Sequence, residues 1–208
     1  MLPAFALGWL LLASVPAAHA STNWYVSRTG VDGTCSQAKP FRTIQFALDC
    51  SSNLDTVFIA PGTYTQSLTV DFSVRLIGAG PGSTTISATH GVPGSTVYIS
   101  HLYGTDVVIS GVTVTGGNAQ VQGGGIFNDT GYLGRSSLVL IDSVVAKNVA
   151  GAEGGGIYNE VGSMVELVRS RVVDNVAADG GGLYNDSGLC SSRHSEVAFN
   201  SPNDIVGC

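Results

Sequence analysis

Charge is the scarcest property of this chain. Asp, Glu, Lys and Arg make up 12% of its 208 residues, about half the usual share of a soluble domain. Lysine occurs only at Lys39 and Lys147, and 15 acidic residues outweigh 9 basic ones for a net charge of −6. So few cations give no electrostatic footprint for a phosphate backbone, which argues against nucleic-acid partners. After residue 20 no apolar run reaches the roughly 20 residues of a membrane span, so no transmembrane segment is expected in the mature chain. Cysteine is sparse too. Cys35, Cys50, Cys190 and Cys208 fall into two pairs separated by 15 and 18 residues, without the closely spaced pairs of a zinc site. What is plentiful is glycine, 28 residues, and hydrophobic side chains, 44%. The glycines lack the every-third spacing of collagen, and the apolar share is too high for a disordered chain. Ser, Thr, Asn and Gly must keep the surface wet.

Residues 1–20, MLPAFALGWLLLASVPAAHA, carry an apolar run and end in Ala18-His19-Ala20, the small-residue pattern of a signal-peptidase site. A cleaved signal peptide is expected, although its start has no Lys or Arg. An ordinary buried helix or a membrane anchor is the competing reading; Pro16 and the short Phe5–Ala13 core speak against a full span. The mature chain would begin at Ser21 and be secreted to the extracellular space, the cell surface or the periplasm. All four cysteines fall in that part, and an even number in an exported chain favours disulfides.

Internal repetition is the strongest signal. Gly123-Gly124-Gly125-Ile126-Phe127-Asn128 returns as Gly154-Gly155-Gly156-Ile157-Tyr158-Asn159 and as Gly180-Gly181-Gly182-Leu183-Tyr184-Asn185. The stretch SLVLIDSVVAKNVA (137–150) aligns without gaps on MVELVRSRVVDNVA (164–177), with apolar residues alternating at Leu138, Leu140 and at Val165, Leu167. Period-two alternation means strands, and a repeat of 20–50 residues means stacked units. A weaker copy occupies 107–115 with Asn118, and a ragged one 196–200. A β-sandwich would explain alternation but not a hexapeptide that recurs three times. The expected architecture is therefore an all-β parallel β-helix, each coil adding a rung about 4.8 Å from the last. Ile126, Ile157 and Leu183 would stack inside, and Asn128, Asn159 and Asn185 would form a structural ladder of amides at one corner. The glycine triplets bend the chain and do not cradle phosphate, since none opens a helix.

Solenoid ends expose core and need caps. Residues 40–49, PFRTIQFALD, start with proline and place Phe41, Ile44 and Leu48 on one stripe, which predicts a short capping helix with Pro40 at its first turn. The domain plan is a cap over 21–54, coils over 55–189 and a C-terminal cap over 190–208. Several rungs separate the two ends, so only Cys35–Cys50 and Cys190–Cys208 are close enough to pair.

The run 35–49, CSQAKPFRTIQFALD, with DTVFIAPGTY (55–64) and VRLIGAG (74–80), resembles the opening of right-handed parallel β-helix proteins of the pectin-lyase-like superfamily. The triplet hexapeptides with Val145-x-x-Asn148, Val172-x-x-Asn175 and Val197-x-x-Asn200 are similar to the GGxI and FxxN repeats of polymorphic outer-membrane proteins, with Val in the Phe place. The resemblance implies the fold, over nearly all of 24–208, and leaves activity open among lyases, hydrolases and adhesins. The superfamily's catalytic patterns are absent: the chain has no adjacent Asp pair, no Gly-His-Gly and no Arg-x-Lys. No catalytic residue is assigned. His90, His101 and His194 read as surface or turn residues.

Two columns remain. Asp129, Glu160 and Asp186 each follow a hexapeptide and precede a glycine at a two-residue step. Stacked, they would repel unless they share a cation such as Ca²⁺; as plain turn chemistry they would splay into water. No other cofactor is expected. Phe127, Tyr158 and Tyr184 should face out and offer rings to a polysaccharide or cell-surface glycan, or else stack only on each other. Asn128-Asp-Thr130 and Asn185-Asp-Ser187 match the glycosylation sequon, but an inward ladder would hide both asparagines. Thr63-x-Thr65 and Thr113-x-Thr115 look too few and out of register for an ice-binding face. The expected function is an exported, non-catalytic recognition scaffold, with a small polysaccharide lyase or glycoside hydrolase as the alternative.

Overall fold

The computed structural model describes residues 21–100, 104–131 and 135–208; the expected signal peptide and His101 lie outside them. Almost everything described is parallel β-structure. One sheet of seven strands runs through Asn23–Val26, Asp55–Ile59, Val74–Gly78, Thr105–Ser110, Ser136–Ile141, Met164–Val168 and Leu189–Arg193. A second sheet of six begins at Gly62–Thr65 and ends at Glu196–Ala198, and a third of six runs from Leu68–Val70 to Ile205–Val206. From Asp55 onward chain order visits the three sheets in turn, so each coil contributes one strand to each, and Asn23–Val26 is an extra strand ahead of the first coil. The protein is a parallel β-helix of six coils.

Alternation sets the register. Leu138 pairs with Val165 and Leu140 with Leu167; Ile126 pairs with Ile157, and Ile157 with Leu183. All seven are at most 2% exposed, so each rung adds an aliphatic layer to one continuous core.

Two kinds of corner close each coil. Asp142, Arg169 and His194 take left-handed backbone (φ 47°, 46° and 51°) between the first and second sheets. The serine that follows closes the turn: Ser170 donates through Oγ to Val168 O (2.9 Å) and accepts from the Ser143 N–H one rung away (3.2 Å). After the second sheet, Lys147, Asp174 and Phe199 are left-handed (φ 58°, 56° and 61°) and precede Asn148, Asn175 and Asn200. These asparagines form a second ladder, Asn148 Nδ2 donating to Asn175 Oδ1 and Asn175 Nδ2 to Asn200 Oδ1, both at 3.0 Å. Asn118 falls one residue out of register, opposite Val149, and the Gly117 N–H meets the Asn148 amide instead (3.0 Å).

The capping helix is shorter than the sequence implied. It covers Ile44–Asp49, with Thr43 as its N-cap; Pro40 is not in its first turn. Phe41 bridges to Val26, donating its N–H to Tyr25 O and accepting from the Ser27 N–H, each at 2.8 Å, and these strand-like bonds hold it out of the helix. Ile44 and Leu48 still plug the core, and Phe41 is buried beside them. Asp55, 1% exposed, accepts from Thr22 N–H (2.6 Å), Trp24 Nε1 (3.0 Å) and Ser52 N–H (2.9 Å), which pins the first strand to the coil.

The disulfides are Cys35–Cys50 and Cys190–Cys208, with Cα separations of 5.4 and 5.8 Å. Residues 190–208, read above as a cap, carry three strands paired in register with the coil before them. The threonine rows also differ from expectation. Thr63 and Thr65 stack on Thr85 and Ser87, which stack on Thr113 and Thr115. The row stops after three rungs, where Val144 and Ala146 follow.

Candidate functional site

The outer face of the third sheet gathers the chemistry. Its consecutive rungs are Val97-Tyr98-Ile99, Ile126-Phe127-Asn128, Ile157-Tyr158-Asn159 and Leu183-Tyr184-Asn185. Period two sends the flanking side chains inward and the central aromatic outward. Tyr98, Phe127, Tyr158 and Tyr184 therefore form one column, with centroid separations of 5.4, 5.2 and 5.6 Å. The first two ring pairs meet edge to face; Tyr158 and Tyr184 are nearly parallel, 7° apart. This packing corrects the expectation of three exposed rings. Tyr158 is only 4% exposed because rings cover it on both sides, while Tyr98, Phe127 and Tyr184 are half-buried. The first glycine of each triplet, left-handed at φ +65°, +65° and +55°, folds against the aromatic of its own rung. A Cβ on Gly123 would sit 2.6 Å from the Phe127 Cβ, so only glycine fits.

Acids border the column at the corner that follows it. Tyr98 Oη donates to Asp129 Oδ2 (2.6 Å) and Tyr158 Oη to Asp186 Oδ2 (3.3 Å), each reaching one rung up. Phe127 has no hydroxyl to offer Glu160, and Glu160 Oε2 accepts instead from the Thr130 N–H (3.0 Å) and hydroxyl (3.1 Å). Asp129 and Glu160 act on each other's carboxyl. Burial, and then the neighbouring Asp129, push the Glu160 carboxyl up. Burial also opposes the charge of Asp129, but Glu160 and the hydrogen bonds from Tyr98 and the Gly131 N–H outweigh it and hold that carboxyl below its ordinary value. Among the described residues no group of three or more His, Cys, Asp or Glu side chains is placed to hold a metal ion. Asp129, Glu160 and Asp186 do not converge into a calcium site.

A second acidic flank lies on the other side, at the position just before each glycine triplet. Gln122, Glu153 and Asp179 are in register, with Gln122 Nε2 donating to Glu153 Oε2 (2.7 Å) and Asn203 Nδ2 to Asp179 Oδ1 (2.9 Å). The negative field reaches the rings. The charge on Glu153 leads the causes that raise the Tyr184 hydroxyl. Burial, then Asp186 and Glu153, raise that of Tyr158 far above the usual range. A depression of about 280 Å³ opens beside Phe127, between Pro93–Ser95 and Ala119–Gln122. The ion pairs Arg169–Asp142, Arg171–Glu196 and Arg193–Glu166 lie elsewhere, on the first and second sheets and the corner between them.

Behind the column the expected ladder is present. Asn128 Nδ2 donates to Asn159 Oδ1 and Asn159 Nδ2 to Asn185 Oδ1, both at 2.7 Å. Asn128 and Asn185 are 0% and 3% exposed, so the folded chain hides both sequons. His90 and His194 are exposed and stand apart from the column. Sequence reasoning missed Tyr98, because its rung lacks the triplet. It also missed Glu153 and Asp179, although Gln, Glu and Asp at the residue before each triplet were there to be read.

The chain belongs to the family described as a protein of unknown function (DUF1565), whose model matches residues 28–176. No curated protein matches the chain. Among solved structures it is similar to pectin methylesterase from Aspergillus niger, in its deglycosylated form and in a penultimately deglycosylated form. Each aligns at 16% identity and a TM-score of 0.46, over 90% of this chain and 71% of the other. Among the described residues no helix is long and apolar enough to cross a membrane.

Proposed function

We propose that this β-helix is an exported recognition scaffold that binds polysaccharide along the third-sheet column without transforming it. One observation carries the reading: a linear strip of rings, half-buried at Tyr98, Phe127 and Tyr184, bordered on both sides by carboxylates whose positions are fixed by hydrogen bonds. Rings offer flat apolar faces to sugars, and fixed acceptors bind hydroxyls without first losing side-chain freedom. Two disulfides fit an oxidising, extracytoplasmic compartment.

The hydrolase or lyase alternative draws on Glu160, whose raised carboxyl would suit a general acid. Asp129, the other acid of this pair, is already engaged by the Tyr98 hydroxyl and the Gly131 N–H. Lyase chemistry needs a base such as Arg, and the groups acting on the pair are acids, hydroxyls and backbone N–H. The test is a glycan array with purified residues 21–208, with and without Ca²⁺, beside an assay for unsaturated uronate release. Binding without turnover, weakened by Tyr184→Ala in a protein with unchanged circular dichroism, is expected. Turnover would overturn the non-catalytic reading, and silence across the array would overturn glycan recognition.

A further inference from the structure

The aromatic column is a negatively charged track, and that sign selects a partner. Glu153 and Asp179 line one side, and Asp129, Glu160 and Asp186 the other. The only cationic side chains in the described ion pairs are bound to acids on the first and second sheets or their shared corner. A uronate or sulfated polymer would be repelled, and a neutral glycan would leave the charge unused. An ammonium group gains twice here, from carboxylates and from the faces of Phe127 and Tyr184. Each ionised carboxylate offers about four lone-pair sites, and the internal bonds leave capacity for a ligand. Rungs repeat about every 4.8 Å, so acid and ring recur along a line, as charged groups recur along a linear polymer. A depression lies beside Phe127 on one flank of the track.

We infer that the strip binds a cationic glycan, a linear polymer of amino sugars with free amines. This rests on the glycan reading above and adds its charge class. A basic peptide fits less well. Peptides commonly dock by adding a strand to an open sheet edge, and the rungs carrying Phe127, Tyr158 and Tyr184 are paired on both sides.

The experiment is calorimetric titration of residues 21–208 with a glucosamine hexamer, its fully N-acetylated form, an oligogalacturonate and an oligolysine of equal charge. The glucosamine hexamer should bind best, and its affinity should fall as salt rises. Glu153→Gln and Asp179→Asn should each weaken it by about fivefold while leaving the thermal melt intact. Equal or tighter binding of the N-acetylated hexamer or the oligogalacturonate would overturn the charge assignment while leaving glycan recognition standing. Tighter binding of oligolysine would overturn the glycan assignment, and no binding by any of the three sugars would overturn both.

Discussion

Tyr158 carries two roles that its neighbours divide. Its ring is packed between Phe127 and Tyr184, and its hydroxyl reaches Asp186. Tyr158→Ala should therefore cost about 3 kcal/mol in urea denaturation. Tyr158→Phe, losing only the hydrogen bond, should cost about 1 kcal/mol; equal losses would mean that packing is not what buries the ring. Glu160 gives a prediction in pH. Its folded carboxyl is raised, so its contribution to stability is full below the unfolded value of about 4.3 and is lost as pH climbs through the folded value. Asp129 is held low, so its contribution is present above about 3.9 and is lost as pH falls through its folded value. The pair is most stable with one proton. Glu160→Gln keeps a neutral partner for Asp129 at every pH, and its melting temperature should fall less than wild type from about pH 5 to about pH 8. Parallel melting curves would contradict the raised Glu160 carboxyl.

At the scale of strands and corners, amide ladders hold the coils. The Asn175 amide donates to Asn200 Oδ1 and Val145 O and accepts from the backbone and side-chain N–H groups of Asn148. Asn175→Ala should cost about 3 kcal/mol by thermal or chemical denaturation, since it strands buried donors and an acceptor; a cost near zero would remove the ladder from the account. Rung register was legible because Leu138, Leu140, Val165 and Leu167 alternate and the hexapeptide repeats. The helix start was not, because Pro40 and Phe41 read as a helical first turn and only the partner strand at Tyr25–Ser27 claims Phe41 for β-pairing. Nor was the burial of Tyr158 legible: alternation says which way a side chain points, while cover comes from rings one coil away on either side. Tyr98 and the acids before the triplets become neighbours of the column only once rungs stack.

For the whole molecule, a stack of coils loses stability from its ends inward. The N-terminal end is closed by Ile44, Leu48 and Phe41. The last coil has Ser192 opposite Leu167 and relies on the Cys190–Cys208 bridge, whose ends are 18 residues apart in sequence. Replacing both cysteines by serine should cost about 3 kcal/mol, mostly as local opening. Hydrogen exchange should then quicken in Leu189–Arg193, Glu196–Ala198 and Ile205–Val206 while the Ile126 and Ile157 rungs stay protected. Uniform loss across all six coils would mean that the stack unfolds as one unit.

Recognition without chemistry is the central claim, and it is tested most directly on the ligand. A glycan retained by residues 21–208 would be incubated with the protein for days, released and weighed by mass spectrometry beside an untreated sample. Identical masses and chain lengths are expected. Shortened chains, unsaturated ends or lost substituents would contradict that claim and make the Asp129–Glu160 pair the first place to look for an active site.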